Sequence, residues 1–264
     1  MPRVPAAAPV DPERLSRESR LVLKDEPAAL VERLGAGADA VVRKTYRNFG
    51  LRLLQTFLRR TRAEREHHNL VLATARGLPC TPPVSCSAQR SLGFVRTSTL
   101  ITGYLPGATT FKQAMAVSRS NPMHRRRLLA ALGALLRRVH DAGILWCTAM
   151  PRNVLVLTTA TEPHLLLCDL PAAIDFGRPL PNSAATIDLY DACGSHSRRL
   201  EMSRPERLRC LLAYAHGDRA EAAQLWRNLA RRTAFGQRIR KNLVMALRTY
   251  ILPGATPTRN QPAR

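Results

Sequence analysis

The sequence predicts a two-lobed α+β protein with a β-rich N-terminal lobe and a mainly helical C-terminal lobe. Three short segments with β-branched residues come first, at residues 21–25, 28–34 and 40–46. A strongly amphipathic helical pattern follows later, at residues 125–143. Because strand-like segments dominate the first part of the chain and helical segments the second, we expect two lobes rather than an alternating α/β fold.

The elements between these segments complete the N-terminal lobe. Residues 51–76 show one long helical pattern that stops at Gly77. A Pro-rich connection follows at residues 80–86, and residues 90–105 indicate two further strands. The stretch LPGATTF at 105–111 then leads into a helix.

The C-terminal lobe contains one pair of strands among its helices. Residues 153–159 and 164–170 are short and apolar, and the link ATEP makes them a hairpin-like pair. Residues 186–252 are mostly helical with basic faces. We predict four parts along the chain: a disordered tail at 1–12, the N-lobe at 13–106, the C-lobe at 107–252 and a disordered tail at 253–264.

Composition narrows the class of protein. The formal net charge is +22, from 41 basic and 19 acidic residues. This excess favours a polyanionic partner such as nucleic acid, an anionic membrane surface or a phosphorylated substrate. Only four of the basic residues are lysines, and alanine and proline are abundant, so the compositional bias of a GC-rich genome is the alternative explanation.

Membrane, secretory and zinc-binding classes find no support in the sequence. No apolar run approaches the roughly 20 residues of a membrane-spanning helix, and the N-terminus lacks a signal-peptide pattern. The six cysteines form no CxxC pair, which argues against a zinc site and favours buried thiols in a reducing compartment. We therefore expect a cytoplasmic protein.

Residues 140–156, HDAGILWCTAMPRNVLV, have the spacing of a kinase catalytic loop. That loop requires a His and an Asp where this chain has Trp146 and Thr148. Asn153 stands five residues after Thr148, the spacing of the kinase asparagine that binds a metal ion. The alternative role for Asn153 is that of a turn residue before a strand.

Three charged positions lie in the order that a kinase nucleotide site needs. Lys44 lies on a predicted inner strand of the N-lobe, where it would neutralise nucleotide phosphates. A helical carboxylate would hold it there, and Glu66 and Glu64 are the two candidates. Asp169 ends a strand sixteen residues after Asn153, as a magnesium ligand would.

Asp175 competes with Asp169 for the role of metal ligand. Asp175, Phe176 and Gly177 spell the kinase D-F-G tripeptide, but Pro171 interrupts the path from the preceding strand. We therefore favour Asp169, which ends the clean strand LLLCD.

Together these residues resemble the bacterial lipopolysaccharide kinase family of the Kdo kinase/WaaP type, which is similar to RIO-like and protein kinases. The resemblance covers roughly residues 20–215. It is carried by an ordered set of motifs: Lys44, AERE (63–66), GLPCTPP (77–83), STLITGYLPGA (98–108), RRVHDAGI (137–144), PRNVLV (151–156), LLLCD (165–169), IDLYD (187–191) and SRPERLRCLLAY (203–214).

The resemblance implies a protein-kinase-like fold that uses ATP and magnesium to phosphorylate a sugar hydroxyl of lipopolysaccharide or a related acceptor. Lys44 and Glu66 would then bind the nucleotide, and Asn153 and Asp169 the metal. The implied partners are a nucleotide and an anionic glycolipid or the inner face of the membrane, where the protein would be peripheral.

The departures from the family pattern concern the chemistry itself. Thr148 replaces the Asp that accepts the proton of the acceptor hydroxyl, and a neutral hydroxyl cannot accept it. Trp146 replaces the family His, and Gly103 replaces the usual hinge Glu. The stretch KDEPAALVERL at 24–34 has no glycine in the turn where backbone amides would hold phosphates.

Two functions follow, and a third is least favoured. The first is a pseudokinase or severely impaired phosphotransferase, because the base is missing. The second is an active kinase that takes its base from elsewhere, with Asp141 and Asp175 as candidates. The third is a nucleic-acid-binding protein in which residues 231–250 form a basic amphipathic helix, or one that contacts an anionic membrane. A solvated arginine face on a C-lobe helix is favoured over both roles of this segment. Cys147, beside Thr148, is expected to be a buried structural thiol.

Overall fold

The computed structural model describes residues 19–158, 162–193 and 202–231, together with the single positions 236, 239 and 243. The predicted tails at 1–12 and 253–264 lie outside the described residues. So does most of the predicted basic helix at 231–250. The described chain is a mixed α+β protein in which a sheet forms most of the first lobe and helices form most of the second.

The N-terminal lobe is built on one antiparallel sheet of five strands. The strands are β1 (Arg20–Glu26), β2 (Ala29–Leu34), β3 (Val41–Arg47), β4 (Pro83–Ser91) and β5 (Phe94–Gly103). Their order across the sheet is β1-β2-β3-β5-β4, which confirms the three early strands and puts β3 at the centre. The predicted connection at 80–86 is wrong at its end, since β4 already begins at Pro83; a proline is tolerated there because β4 is an edge strand.

The predicted helix over residues 51–76 is two helices, α1 (Leu51–Leu54) and α2 (Arg62–Ala75). The backbone of Leu58 has φ of +51°, a left-handed conformation that no helix can pass through. A capping box then starts α2: the Thr61 hydroxyl accepts a hydrogen bond from Glu64 N, and the Glu64 carboxylate accepts one from Thr61 N. The prediction that the helical segment stops before Gly77 is confirmed, and Gly77 has φ of +69°.

The C-terminal lobe contains five helices and several short strands within the described residues. The helices are α3 (Phe111–Val117), α4 (Pro122–Asp141), α5 (Asn182–Cys193), α6 (Arg204–Tyr214) and α7 (Arg219–Ala230). The strands are β6 (Thr109–Thr110), β7 (Ile144–Leu145), β8 (Val154–Thr158), β9 (Pro163–Leu167) and β10 (Ile174–Asp175). The predicted pairing of the two apolar strands is confirmed, because β8 and β9 are antiparallel neighbours.

One hydrophobic core joins the two lobes. It contains Leu70 of α2 and Leu100 of β5 together with the buried face of α4, including Leu132 and Leu136. At Gly133 the helix α4 approaches α6 so closely that a Cβ atom would lie 2.1 Å from the carbonyl oxygen of Cys210. Among the described residues, no helix is both long enough and apolar enough to cross a bilayer.

Candidate functional site

The first feature of the cleft between the lobes is a buried ion pair. Lys44 Nζ on the central strand β3 donates to Glu66 Oε1 on α2 at 2.6 Å. The second oxygen of Glu66, Oε2, accepts from the hydroxyl of Tyr46 at 2.6 Å. Glu66 is fully buried, and both of its carboxylate oxygens accept a hydrogen bond. The two donors, Lys44 and Tyr46, project from the same face of β3.

The competing carboxylate, Glu64, lies elsewhere. It forms the capping box with Thr61 and an ion pair with Arg90 of β4 at 2.9 Å. Of the two glutamates, the structure therefore brings Glu66, and not Glu64, to Lys44.

Asp169 is the second carboxylate whose charge acts on Lys44. Its Oδ1 accepts from Arg62 Nη2 of α2 at 3.0 Å, and the Arg62 guanidinium stacks 4.8 Å from the ring centroid of Tyr46. Burial alone would lower the pKa of Lys44, but the carboxylates of Glu66 and Asp169 outweigh burial, so that the pKa of Lys44 is raised. Lys44 therefore remains a cation at physiological pH.

Asp175 is engaged with a different arginine. Its carboxylate pairs with Arg76 at the end of α2, with Nη1 to Oδ1 at 2.8 Å, and its Oδ1 also accepts from Gly177 N at 2.7 Å. Of the two aspartates, Asp169 is the one whose charge acts on Lys44.

The loop between β7 and β8 packs against the backbone of Asp169. Thr148 Oγ1 donates to the carbonyl oxygen of Asp169 at 3.0 Å, and Trp146 Nε1 donates to the same oxygen at 3.3 Å. Trp146 is fully buried and Asp169 has φ of +62°. The Thr148 hydroxyl thus donates its hydrogen bond to the backbone of the turn at Asp169. It is a neutral alcohol and offers no carboxylate that could accept a proton.

Asn153 closes the same loop from its far end. Its Nδ2 donates to the carbonyl oxygen of Thr148 at 2.9 Å, and its own carbonyl oxygen accepts from Cys168 N at 3.0 Å. The side-chain oxygen of Asn153, Oδ1, is of the type that binds magnesium. The backbone hydrogen bond connects Asn153 to Cys168, the residue before Asp169. Burial raises the pKa of the Cys168 thiol to about 12, so this neighbour stays neutral.

Asp188, a buried residue of α5, accepts hydrogen bonds from the backbone of the loop between β7 and β8. Asp188 accepts from Trp146 N at 2.7 Å and from Cys147 N at 2.8 Å, and His140 Nε2 lies 3.2 Å from it. The other ring nitrogen of His140 lies 2.9 Å from the hydroxyl of Tyr214. The motif IDLYD (187–191) is part of the family resemblance, but the role of Asp188 in positioning the loop at Trp146 and Cys147 was not predicted from the sequence.

Two other residues of the site were missed, and the sequence contained a signal for each. Arg62 stands four residues before Glu66, so both lie on one face of α2. Tyr46 stands two residues after Lys44, so both lie on one face of β3.

A family model described as the lipopolysaccharide kinase (Kdo/WaaP) family matches residues 36–175, more than half of the chain. The chain belongs to the lipopolysaccharide kinase (Kdo/WaaP) family. The predicted family is thereby confirmed, and the matched span contains the predicted site residues Lys44, Glu66, Thr148, Asn153 and Asp169.

The lipopolysaccharide kinase family protein is also similar to a solved structure described as WaaP in complex with acyl carrier protein. The TM-score is 0.58 at 16% sequence identity, and the match covers 88% of this chain and 90% of that chain. At this identity the likeness shows the fold alone, and it confirms the predicted two-lobed kinase-like fold. A search of curated proteins found no match.

The turn between β1 and β2 of this family member has no glycine. It consists of Pro27 and Ala28, and it is flanked by carboxylates at Asp25 and Glu26. Glu26 pairs with Lys24 at 2.9 Å. A proline without an N–H and two nearby negative charges make this turn a poor cradle for phosphates.

The oxygen donors of the cleft fit a magnesium ion that a nucleotide brings with it. Asp169 offers a carboxylate and Asn153 an amide oxygen, both hard ligands of the kind that magnesium prefers. Within the described ranges, no group of three or more His, Cys, Asp or Glu residues could hold a metal ion. The donor set therefore fits only an ion that completes its coordination with phosphate oxygens, and Arg62 already contacts Asp169.

Proposed function

We propose that this lipopolysaccharide kinase family protein binds ATP in the cleft between its lobes and is a pseudokinase or a severely impaired phosphotransferase. One observation carries the proposal. Thr148 stands where the catalytic base is expected, and its hydroxyl donates to the Asp169 backbone instead of offering a carboxylate.

The proposed nucleotide site uses four residues. Lys44 would neutralise the phosphates as a point charge, and Glu66 would hold Lys44 toward them. Asp169 and Asn153 would hold magnesium, which when bound neutralises charge on the phosphates. The Lys44–Glu66 distance of 2.6 Å supports this assignment, because the lysine is already oriented before any ligand binds.

An active kinase is the second candidate, and the intact Lys44–Glu66 pair favours it. A positioned base contributes about 10²–10⁴ in rate, whereas phosphoryl transfer depends mostly on positioning and charge neutralisation. The two candidate substitute bases are less suited to the role, since Asp141 pairs with Arg137 at 2.8 Å and Asp175 pairs with Arg76 at 2.8 Å. We therefore place the active kinase second.

The proposed acceptor and location follow from the family. We propose a sugar hydroxyl of lipopolysaccharide or a related anionic glycolipid as the acceptor or bound partner, and a cytoplasmic location peripheral to the inner membrane. The net charge of +22 supports an anionic partner, with nucleic acid least favoured. The solved WaaP structure contains an acyl carrier protein, which makes such a carrier a second partner to test. The lobe boundary after residue 106 remains a prediction.

Nucleotide binding is the first test. We expect Lys44→Ala and Asp169→Ala each to weaken magnesium-dependent ATP binding about 10- to 100-fold, because each removes a charged hydrogen-bonding or ligating group. Thermal shift and titration calorimetry would measure the loss. The matched controls are Lys112→Ala, an exposed lysine on α3, and Asp175→Ala, the competing aspartate.

Three results would contradict the proposal at different points. Absence of ATP binding to the wild-type protein would remove the nucleotide site altogether. A loss with Asp175→Ala and none with Asp169→Ala would reverse the choice of metal ligand. ATP turnover above background that Asp169→Ala abolishes would favour the active kinase.

Arg62 should compete with magnesium for Asp169. Since the Arg62–Asp169 pair is partly exposed, we expect Arg62→Ala to lower the magnesium concentration at half-maximal ATP binding only about 2- to 5-fold. A magnesium titration at fixed ATP, read by thermal shift, would measure this change. Arg65→Ala, which removes an exposed arginine of the same helix, is the control. An unchanged midpoint in Arg62→Ala would show that Arg62 does not oppose the metal.

A further inference from the structure

Large apolar side chains are exposed together at one end of the N-terminal lobe. Six of them lie between β3 and α2 or in the β4–β5 turn, and each is 47% to 91% exposed. These six form the apolar tip: Phe49, Leu51, Leu54, Phe57, Leu58 and Leu92. A concentration of this kind marks a surface that contacts another molecule, whereas scattered single residues do not.

Backbone and ring contacts join the two segments of the apolar tip. Leu58 N donates to the carbonyl oxygen of Gly93 at 3.0 Å, and the rings of Phe57 and Phe94 lie 4.8 Å apart between centroids. A Cβ atom on Gly93 would lie 2.8 Å from the Phe57 ring. The segment after α1 is therefore packed on the β4–β5 turn, and the two segments present one surface.

Two leucines of the apolar tip adopt an unfavourable backbone conformation. Leu58 has φ of +51° and Leu92 has φ of +50°, while their side chains are 76% and 91% exposed. Glycine or asparagine occupies such positions at lower cost, and a bulky residue there costs roughly 1–2 kcal/mol. Neither leucine recovers that cost by burial in the core, which points to a contact made outside the protein.

The two chain segments that carry the apolar tip are basic, while the β1–β2 turn at the same end of the sheet carries Asp25 and Glu26. Residues 48–63 and 84–103 contain six arginines and no aspartate or glutamate. Of these six, Arg62 pairs with Asp169 and Arg90 pairs with Glu64. The other four arginines are exposed: Arg52, Arg59, Arg60 and Arg96.

We propose that the apolar tip docks on an anionic phospholipid bilayer, with its leucines and phenylalanines below the headgroups and the surrounding arginines among the phosphates. A bilayer suits this surface because Leu51, Leu58 and Leu92 are 76% to 91% exposed and the same two segments carry exposed arginines that complement anionic headgroups. The inference rests on the proposed location at an anionic membrane and names the surface that makes the contact.

Docking would also set the position of the cleft. Only Arg59 and Arg60 separate Leu58 of the apolar tip from Thr61, the residue that caps α2, and Arg62 contacts Asp169. A docked tip therefore holds the N-terminal end of α2, and with it the Asp169 side of the cleft, near the membrane where a glycolipid acceptor would lie.

Vesicle flotation tests the surface with the full-length protein. The vesicles are phosphatidylcholine alone and phosphatidylcholine mixed with phosphatidylglycerol. We expect the wild-type protein to bind the mixed vesicles only. The double variant Leu58→Asn/Leu92→Asn should lose roughly tenfold or more in vesicle affinity, because each substitution removes an inserted apolar side chain. Asparagine tolerates a left-handed backbone, so the variant should fold at least as stably as the wild type.

Matched controls separate the apolar tip from general properties. Val117→Asn/Met123→Asn removes two exposed apolar side chains of the other lobe and should bind like the wild type. Arg52→Gln/Arg60→Gln should lose about tenfold in affinity, whereas Arg126→Gln/Arg209→Gln, with the same change in net charge, should lose much less.

The outcomes distinguish this inference from the function on which it rests. Wild-type protein that does not bind mixed vesicles overturns both the membrane location and the docking surface, while ATP binding is tested separately. Vesicle binding that the Leu58/Leu92 variant keeps overturns the surface alone. A third outcome is that the wild-type protein does not bind vesicles but forms a dimer or a complex with acyl carrier protein. If the Leu58→Asn/Leu92→Asn variant loses that assembly, the surface belongs to a protein partner and the proposal is overturned.

Discussion

Replacing Thr148 with aspartate is expected to raise phosphate transfer by about 10²–10⁴. The substitution supplies the carboxylate that the loop lacks. The backbone there is already held, because the Thr148 carbonyl oxygen accepts from Asn153 Nδ2 and the preceding residue, Cys147, donates its N–H to Asp188. The rest of the site would remain, since Lys44 and Glu66 are paired without Thr148. The measurement is release of inorganic phosphate from ATP and transfer to purified lipopolysaccharide core.

The control for this gain is Thr148→Asn, which has the same shape as the aspartate but cannot accept a proton. It should transfer phosphate no faster than the wild type. If Thr148→Asp and Thr148→Asn behave alike while the wild type already turns over ATP in an Asp169-dependent manner, the base lies elsewhere and the protein is an active kinase. Equal inactivity of all three, with ATP binding intact, would place a further defect in the glycine-free β1–β2 turn.

Removing the Asp188 carboxylate is expected to destabilise the protein by about 3–5 kcal/mol, one of the largest effects of a single substitution. Asp188→Ala leaves the buried N–H groups of Trp146 and Cys147 without an acceptor and removes the contact of His140. Each orphaned buried donor costs about 1–3 kcal/mol. Equilibrium unfolding in urea at neutral pH would measure the free-energy change.

Two variants frame this measurement. Asp188→Asn keeps one acceptor oxygen and should lose less stability than Asp188→Ala. Asp141→Ala breaks an exposed pair with Arg137 and should change the free energy of unfolding by no more than about 1 kcal/mol. A loss for Asp188→Ala as small as that for Asp141→Ala would show that the loop does not depend on Asp188.

Residues whose partners follow from local periodicity could have been predicted more completely. Glu66 and Arg62 share a helix face, and Lys44 and Tyr46 share a strand face, so a network across the two faces was within reach of the sequence. The continuous helix over 51–76 could not be corrected in this way. Its helical pattern continues through Leu58, and the break depends on Leu58 packing against Gly93 of a distant turn.

The sequence and the family resemblance already favoured Glu66 and Asp169, but only the tertiary structure shows which partner each competing carboxylate has. Glu64 and Glu66 are two residues apart, and only the direction of α2 relative to β3 turns Glu66 toward Lys44. Asp169 follows β9 and Asp175 ends β10, and only the folded chain brings Arg62 to Asp169 and Arg76 to Asp175. Such pairings join residues about 100 positions apart, which no local pattern encodes.

By itself, the sequence was enough to predict the family and the two-lobed fold and to propose Thr148 as the position where the base is missing, because these depend on residue identities in a fixed order along the chain. Thr148 lacks a carboxylate in any conformation. The tertiary structure decided what Thr148 and Trp146 do instead, which is to hold the backbone of Asp169, and it exposed the apolar tip. These features arise where distant segments meet, and their contacts exist only once the chain has folded.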